Sequence, residues 1–232
     1  MAVLTNDTLF DGRLNIKQAK SGYRFSMDAV VLANHAAIKA GDQVLDLGTG
    51  CGIIALMLAH LHPDITIYGV EIQKTQADIA VQNVNENSMA DRITIFHRDI
   101  KTITPSMTSG PVDVIICNPP HIPKPSGRIN PDDQLAIARH EIAITLDDLI
   151  KTGKRMLNPT GRLIMVYPAK RMVETLTRMH SAQIEPKKIT MIHTKPDTAA
   201  KRILIEGVKN GRPGIVIASP LFIHNEDGSN TL

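Results

Sequence analysis

Three glycines and an acid stand together in the segment DLGTGCG, at positions 46 to 52. The segment lies between a short apolar run and a helical pattern, which is typical of a turn from a strand into a helix. Gly48, Gly50 and Gly52 allow a tight turn and let a ligand approach the main chain without a Cβ in the way. The spacing departs from the dinucleotide fingerprint G-x-G-x-x-G, because Ile53 stands where its third glycine would be. Alone, this turn favours a nucleotide-type ligand only modestly over no ligand at all.

Acidic side chains stand at the ends of three consecutive predicted strands, which places them at one edge of a parallel sheet. Glu71 ends the second strand, before Ile72, and its carboxylate can accept hydrogen bonds from both hydroxyls of a ribose. Asp99 follows the third strand, where it can accept from the exocyclic amine of an adenine or simply cap a turn. Asp46 can hold an ammonium group directly or through water. These acids favour a bound nucleoside with an amino-acid-like charge over a solvated strand edge.

The tetrapeptide Asn118-Pro119-Pro120-His121 follows the apolar run 112–117 and determines which reaction is expected. An amine on an aromatic ring is a poor nucleophile, because its lone pair is delocalised into the ring. The Asn118 side-chain oxygen and the Pro119 carbonyl can accept hydrogen bonds from its two N–H groups, and the prolines hold both acceptors in place. An ordinary strand-ending turn is the alternative. This alternative is less favoured, because glycines and acids precede the tetrapeptide at neighbouring strand ends.

Strands and helices alternate along the chain, which predicts an α/β fold with a mostly parallel sheet. Predicted strands cover 43–45, 65–70, 92–97, 112–117, 161–167, 188–193 and 202–208, and predicted helices cover 27–39, 53–60, 73–87, 145–157 and 169–179. The last two strands are separated by too few residues for a crossover helix, so they are expected to form a terminal antiparallel pair. This gives a seven-stranded sheet.

The beginning of the chain reads as a hairpin around the Asp-Gly pair at 11–12, followed by the first helix. Tyr23, Phe25, Ser26 and Asp28 then stand at the entrance of that helix, just upstream of the first strand. There they could cover the nucleotide site, with Ser26 as the helix cap. Equally, the two aromatic residues could fasten the helix to the core.

Four segments together resemble one family, the bacterial tRNA1(Val) adenine-N6-methyltransferases, which are class I S-adenosylmethionine-dependent methyltransferases. The segments are TNDTLFDGRLNIKQAKSGYRFSMDAVVLA, DLGTGCG, NPPH and ARHE. The resemblance implies a Rossmann-like fold, S-adenosylmethionine as cofactor, and methylation of an adenine in a tRNA anticodon loop. His121 departs from the family, which has Tyr or Phe there to stack on the target base. Imidazole can also stack, but it offers less area.

The resemblance also implies which residues form the site. Those expected to act on the amine are Asn118, Pro119, Pro120 and His121. Those expected to hold the cofactor are Tyr23, Phe25, Ser26, Asp28, Asp46, Gly48, Gly50, Gly52, Glu71, Ile72, Asp99 and Asn118.

An RNA substrate needs cations for its phosphates and an unpaired base that can leave its stack. Lys124, Arg128 and Arg139 lie in the long irregular stretch after the tetrapeptide, where RNA contact is expected. Two basic pairs, Lys187-Lys188 and Lys201-Arg202, add charge near the terminal strands. For any single basic pair a solvated surface is an adequate explanation, so the loop cluster carries this expectation.

Composition sets the remaining expectations. The 232 residues carry a net charge of +3, which permits a nucleic-acid partner without requiring one. Two cysteines outside any C-x-x-C pair indicate neither a metal site nor a disulfide, and no apolar run is long enough to cross a membrane. We therefore expect a cytoplasmic protein, and a monomer. With the resemblance, we expect one methyltransferase domain, divided into a hairpin extension (1–25), a catalytic core (26–224) and a flexible tail (225–232).

Other enzymes also use an Asn-Pro-Pro turn. A methyltransferase of protein glutamine amides carries a helical substrate domain before the glycine segment, and a DNA adenine methyltransferase needs a separate recognition domain. Here only about forty residues precede the glycines, so the room is missing. A non-catalytic module that binds the cofactor or RNA is the alternative of another class, and the intact Asn118-Pro119 pair argues against it.

Overall fold

The computed structural model describes residues 4–20, 24–119 and 145–224. Its strands are β1 (Leu4–Leu9), β2 (Leu14–Ala19), β3 (Gln43–Leu47), β4 (Thr66–Glu71), β5 (Ile93–His97), β6 (Val112–Cys117), β7 (Leu157–Pro168), β8 (Ile184–His193), β9 (Arg202–Lys209), β10 (Val216–Ile217) and β11 (Leu221–Phe222). Its α-helices are α1 (Met27–His35), α2 (Ile53–Leu61), α3 (Lys74–Glu86), α4 (Leu146–Met156) and α5 (Met172–Ser181).

The central sheet has the order β10-β8-β9-β7-β6-β3-β4-β5, and β11 also pairs with β8. Strands β5, β4, β3, β6 and β7 are parallel, whereas β9 lies between β7 and β8 and is antiparallel to both. The predicted seven-stranded sheet with an antiparallel terminal pair is therefore confirmed. The two-residue strands β10 and β11 are additions that the sequence pattern did not predict, because two residues are too few to show a period.

Both faces of the sheet are covered, and alternate residues of its central strands enter different cores. Val44 of β3 joins a cluster with α1, α2 and the hairpin, whereas Leu45 and Leu47 join a cluster with α4 on the other face. Helix α2 is buried from Ile53 to Ala59, because it lies under α1 and the hairpin as well as on the sheet. The carboxyl ends of β3, β4 and β6 consequently form one edge between two well-packed layers.

Helix α1 ends earlier than the sequence pattern predicts, at His35 instead of residue 39. Ala36 is already extended, with φ −66° and ψ 131°, and Asp42 holds the chain that follows through one local and one distant contact. This carboxylate accepts a hydrogen bond from the Lys39 amide at 2.8 Å and forms an ion pair with Arg162 at 2.5 Å. The chain around Lys39 is thus held by a turn that leads into β3, and a continued helix could not make these contacts.

Two asparagines of α3 hold the hairpin against the core. The Asn83 amide accepts from Lys17 N and donates to Lys17 O, both at 2.8 Å, and Asn87 contacts the backbone of Asn15 in the same way. Four residues of helix and two residues of strand each span about 6 to 7 Å. The two amides therefore match Asn15 and Lys17, which are two residues apart in β2. Asn83 Nδ2 also donates to Cys51 O at 2.8 Å, which joins the hairpin to the glycine turn.

We expect Asn83→Ala to lower the free energy of unfolding by about 2 to 3 kcal/mol, because three buried or half-buried backbone groups lose their partner. Asn87→Ala removes two hairpin bonds and a bond to Asn83 O within α3, but not the link to the glycine turn, so it is the matched control, with a loss of about 1 kcal/mol at this more exposed position. Urea unfolding followed by circular dichroism measures both. Equal losses in the two variants would show that the buried link to Cys51 contributes no more than the bond of Asn87 within its own helix.

Candidate active site

The glycine turn joins β3 to α2 and is fixed to the end of β4. Gly48, Gly50 and Gly52 have φ angles of 76°, 58° and 86°, which side chains other than glycine adopt only with strain. The Val70 carbonyl accepts from Gly48 N at 2.8 Å and from Thr49 N at 3.0 Å. A Cβ built on Gly50 would meet open space, so a ligand has room to lie directly against the main chain there.

Glu71 is buried at the end of β4, with 6% of its surface exposed, and its carboxylate is oriented by the main chain. Its Oε2 accepts from Gly50 N at 3.0 Å and its Oε1 accepts from Gln73 N at 2.8 Å. Burial raises the pKa of this carboxyl, and the backbone N–H groups counteract that rise. A carboxylate oxygen can accept more than one hydrogen bond, so both oxygens can still take a hydroxyl from a ligand.

Asp46 is wholly buried and only half satisfied. Its Oδ2 accepts from Thr49 Oγ1 at 2.6 Å, whereas its Oδ1 has no hydrogen-bond partner among the described residues. Burial raises the pKa of Asp46 to about 7, and the nearby Glu71 adds to the rise. An unpaired buried carboxylate is costly. A ligand that brings a positive charge to Oδ1 would offset this cost.

Asn118 lies directly after β6 and is 9% exposed. Strand β3 has β4 on one side and β6 on the other, with Asp46 opposite Gly69 and Ile116. The register therefore brings Glu71 and Asn118 to the two sides of the glycine turn. Asn118 Nδ2 donates to Ser26 Oγ at 3.4 Å, and the following Pro119 is buried. Pro120 and His121 lie outside the described residues.

The residues at the entrance of α1 take three different positions. Phe25 packs against the core cluster under α2, as in the alternative in which the aromatic residues fasten the helix. Ser26 stands at the N-cap position but makes no side-chain cap bond, which the sequence pattern did not anticipate. Asp28 forms an ion pair with Arg202 of β9, at 3.0 Å between Oδ2 and Nε. Tyr23 lies outside the described residues.

Asp99 and Ile72 lie at the β5 side of the same edge. Asp99 caps a short 3-10 helix, with Oδ1 accepting from Lys101 N at 2.9 Å and Oδ2 facing Lys101 Nζ at 3.2 Å. Its side chain is 30% exposed, so it retains access to a ligand. Ile72 is half-buried, and its carbonyl is 3.1 Å from His97 Nε2.

Thr49 is a residue of the site that the sequence analysis missed. It is 3% exposed, and it is the partner of Asp46 in the described structure. A hydroxyl three residues after an acid in a glycine turn was the available signal, since such side chains bond within turns. Together, the described residues form a cradle with acceptors for a diol, a site for a cation and an amide beside them.

Lys124, Arg128 and Arg139, the predicted RNA contacts, lie outside the described residues. Within residues 4–20, 24–119 and 145–224, no three His, Cys, Asp or Glu side chains are grouped closely enough to hold a metal ion. In the same part of the chain, every helix is too short or too polar to span a membrane.

A family model and named relatives match this chain. The family model described as methyltransferase small domain matches residues 21–189. A relative from Porphyromonas gingivalis is 32% identical over 200 residues, which is 84% of this chain and 78% of that protein. One from Aliivibrio fischeri is 30% identical over 216 residues, covering 93% and 89%. Both carry the name tRNA1(Val) (adenine(37)-N6)-methyltransferase.

The solved structures agree on the fold. A predicted O-methyltransferase from Agrobacterium tumefaciens superposes with a TM-score of 0.68 at 21% identity, covering 86% of this chain and 89% of that one. A methyltransferase from Thiobacillus denitrificans, solved in complex with S-adenosyl-L-homocysteine, gives a TM-score of 0.51 at 18% identity and covers 72% and 67%. At these identities the likeness concerns the fold alone.

Proposed function

Because the chain belongs to the methyltransferase small domain family, and within it to the tRNA1(Val) (adenine(37)-N6)-methyltransferases, we propose that it methylates the N6 amine of an adenine in a tRNA anticodon loop. The relatives' names point to adenine 37 of tRNA1(Val) as this substrate. The observation that carries the proposal is the buried Asn118 amide beside the ligand cradle. We further propose that the protein acts in the cytoplasm as a monomer and without a metal.

S-adenosylmethionine fits the residues of the cradle. Asp46 would hold its amino group, because the buried Oδ1 otherwise has no hydrogen bond from a described residue. The two oxygens of Glu71 would accept from its ribose hydroxyls, and the open space at Gly50 would admit the nucleoside close to the main chain. Asp99 is the acceptor proposed for the adenine amine. When bound, this cofactor supplies the methyl group as an electrophilic carbon on a sulfonium.

The chain's own contribution is to hold the amine and exclude water. Asn118 Oδ1 and the Pro119 carbonyl accept hydrogen bonds from the two N–H groups of the target adenine's N6 amine. As the amine gains positive charge, both hydrogen bonds strengthen, so the site stabilises the transition state more than the ground state. The N–H groups become acidic only as the nitrogen gains the methyl group, so no strong base is needed to remove a proton beforehand.

A labelled-methyl assay tests this proposal. Incubation of the protein with methyl-labelled S-adenosylmethionine and, separately, total tRNA, protein and DNA is expected to label tRNA alone. A synthetic anticodon stem-loop with adenine at position 37 should accept the label, and the same stem-loop with guanine there should not. If the label appears in protein glutamine instead, this protein is a methyltransferase of protein glutamine amides. If the protein binds the cofactor but labels no product, it is a non-catalytic module.

The RNA surface can extend along the sheet edge beyond Asn118. Lys170 follows β7, and Lys195 and Lys201 lie in the connection between β8 and β9, which ends opposite Pro168. All three are exposed, and within the described residues none of them forms an ion pair. Their neighbour Arg202 is instead paired with an acid. Free cations at the edge of the active site are placed to contact phosphates around an inserted base.

We expect the triple variant Lys170→Ala, Lys195→Ala and Lys201→Ala to weaken tRNA binding about tenfold or more near 0.1 M salt, because each phosphate contact releases a counterion. The slope of log affinity against log salt should fall by roughly two to three. Fluorescence anisotropy with labelled tRNA measures both quantities. The matched control removes three exposed cations at the opposite edge of the sheet, Lys39, Lys154 and Arg212. An equal loss in the control would mean that total charge, not this surface, binds tRNA.

A further inference from the structure

Ser26 occupies a cap position without serving as a cap. It precedes α1 in an extended conformation, with φ −105° and ψ 164°, yet its hydroxyl makes no bond to the helix. Serine is favoured at such positions because its oxygen normally accepts from the first free amides of the helix. Here the oxygen instead faces the Asn118 amide, which is 92 residues away in the chain, at 3.4 Å from Nδ2.

In the structure the Nδ2 end of the Asn118 amide faces Ser26, which leaves its Oδ1 end on the side open to a substrate. An asparagine amide has a donor end and an acceptor end, and its partners determine their directions. With Nδ2 bonded to Ser26, Oδ1 is the end left for another partner. A flipped amide would present N–H groups to an adenine amine that itself offers N–H groups, and no hydrogen bond could form.

The segment that carries Ser26 is held on both sides. On one side, Phe25 N donates at 3.1 Å to the Oε1 of Gln18, a residue of the hairpin that is 2% exposed. Gln18 Nε2 in turn donates to Asp7 at 2.6 Å. On the other side, Asp28 is tied to Arg202 of β9. These contacts hold the backbone that carries the Ser26 hydroxyl, so the position of the hydroxyl relative to Asn118 is well defined.

We propose that Ser26 is a positioning residue, whose hydroxyl holds the Asn118 amide with Oδ1 turned to the target amine. The inference rests on the proposed function and deepens it. It gives the hairpin a purpose in the site, because Gln18 fixes the backbone next to Ser26. It also differs from the sequence-based expectation that Ser26 contacts the cofactor, and the two roles lead to different measurements.

The test compares Ser26→Ala with Ser26→Thr. We expect Ser26→Ala to lower kcat for methylation of the adenine-37 stem-loop about tenfold, the worth of roughly one hydrogen bond. The KM for the stem-loop and the Kd for S-adenosylhomocysteine should stay within twofold, and Ser26→Thr should restore at least half of kcat because it keeps the hydroxyl. Thr145→Ala is the control, since Thr145 is a true cap that accepts from Asp148 N. It should lower Tm more than Ser26→Ala while leaving kcat unchanged.

A spectroscopic measurement keeps the inference separate from the proposed function. In nitrogen-15 spectra of the protein without RNA, the Asn118 side-chain N–H signals, assigned by their loss in Asn118→Ala, should shift in Ser26→Ala and return toward the original position in Ser26→Thr. Unmoved signals would overturn the inference even if tRNA is methylated. A weaker Kd for S-adenosylhomocysteine with an unchanged kcat would also overturn it, in favour of cofactor contact. If the wild-type protein methylates no RNA, the proposed function fails, but these spectra still show whether Ser26 contacts the Asn118 amide.

Discussion

Replacing Asn118 by alanine is expected to lower kcat for tRNA methylation by about 10² to 10³-fold, the usual loss when one transition-state hydrogen-bond group is removed. The side chain is buried at the end of β6, so water cannot easily replace its oxygen. The amine then loses the acceptor that strengthens as positive charge develops on nitrogen. Single-turnover methylation with labelled S-adenosylmethionine measures the rate, and calorimetry with S-adenosylhomocysteine measures whether the cradle is intact.

Asn34→Ala is the matched control, because it makes the same chemical change on the exposed side of α1. It should leave both the rate and the affinity for S-adenosylhomocysteine at their wild-type values. Two results for Asn118→Ala would contradict the assignment. One is a rate within a few-fold of wild type, and the other is a loss of affinity or of folding large enough to account for the lower rate.

Asp46→Asn is expected to make the ligand-free protein more stable at pH 8. Burial raises the pKa of Asp46 from 3.8 to about 7, so the folded state binds this proton more tightly than the unfolded state does. The carboxyl group therefore costs stability progressively as the pH rises from about 4 to about 7. At pH 8 this cost is at most roughly 4 kcal/mol, from 1.36 kcal/mol per tenfold change in the ionisation constant. Asparagine has nearly the same shape and no charge to bury.

The same substitution should weaken binding of S-adenosylhomocysteine at least tenfold, since the ligand's ammonium loses its buried partner. For the wild type, affinity should increase from pH 6 to pH 8, because the carboxyl must be ionised to pair with the ammonium. The asparagine variant should show no such increase. Urea unfolding and calorimetry at both pH values measure the two effects, with the exposed Asp64→Asn as the control for the chemical change. A less stable Asp46→Asn variant at pH 8 would contradict the account.

The parts of the site that sequence patterns predicted are those set by strand ends. An apolar run followed by an acid or an amide places that side chain at the edge of a parallel sheet, whatever the rest of the chain does. Glu71 and Asn118 are such residues, and the register of β3 with β4 and β6 brings them to either side of the glycines. Local patterns also predicted most helix and strand bodies, because a buried face repeats along each of them.

Contacts between distant segments could not be read from these patterns. The ion pair of Asp28 with Arg202 joins residues 174 positions apart, and no local period indicates it. The sequence pattern predicted that Ser26 caps its helix. The prediction was wrong because the hydroxyl faces the Asn118 amide instead, and a local pattern does not show such a distant partner. The early end of α1 has the same kind of cause, since Asp42 is held by Arg162 from β7.

The position of β9 between β7 and β8 has a consequence for synthesis of the protein. As the polypeptide leaves the ribosome, β3 to β7 can pair with one another, but β8 has no neighbour in the main body until β9 has emerged. The nascent sheet must therefore keep one side of β7 open for about forty residues, and unpaired strand edges of this kind invite association with other chains. A stop codon placed just before Arg202 should thus yield a product that depends on chaperones, although it contains every residue of the methyl-transfer site named above.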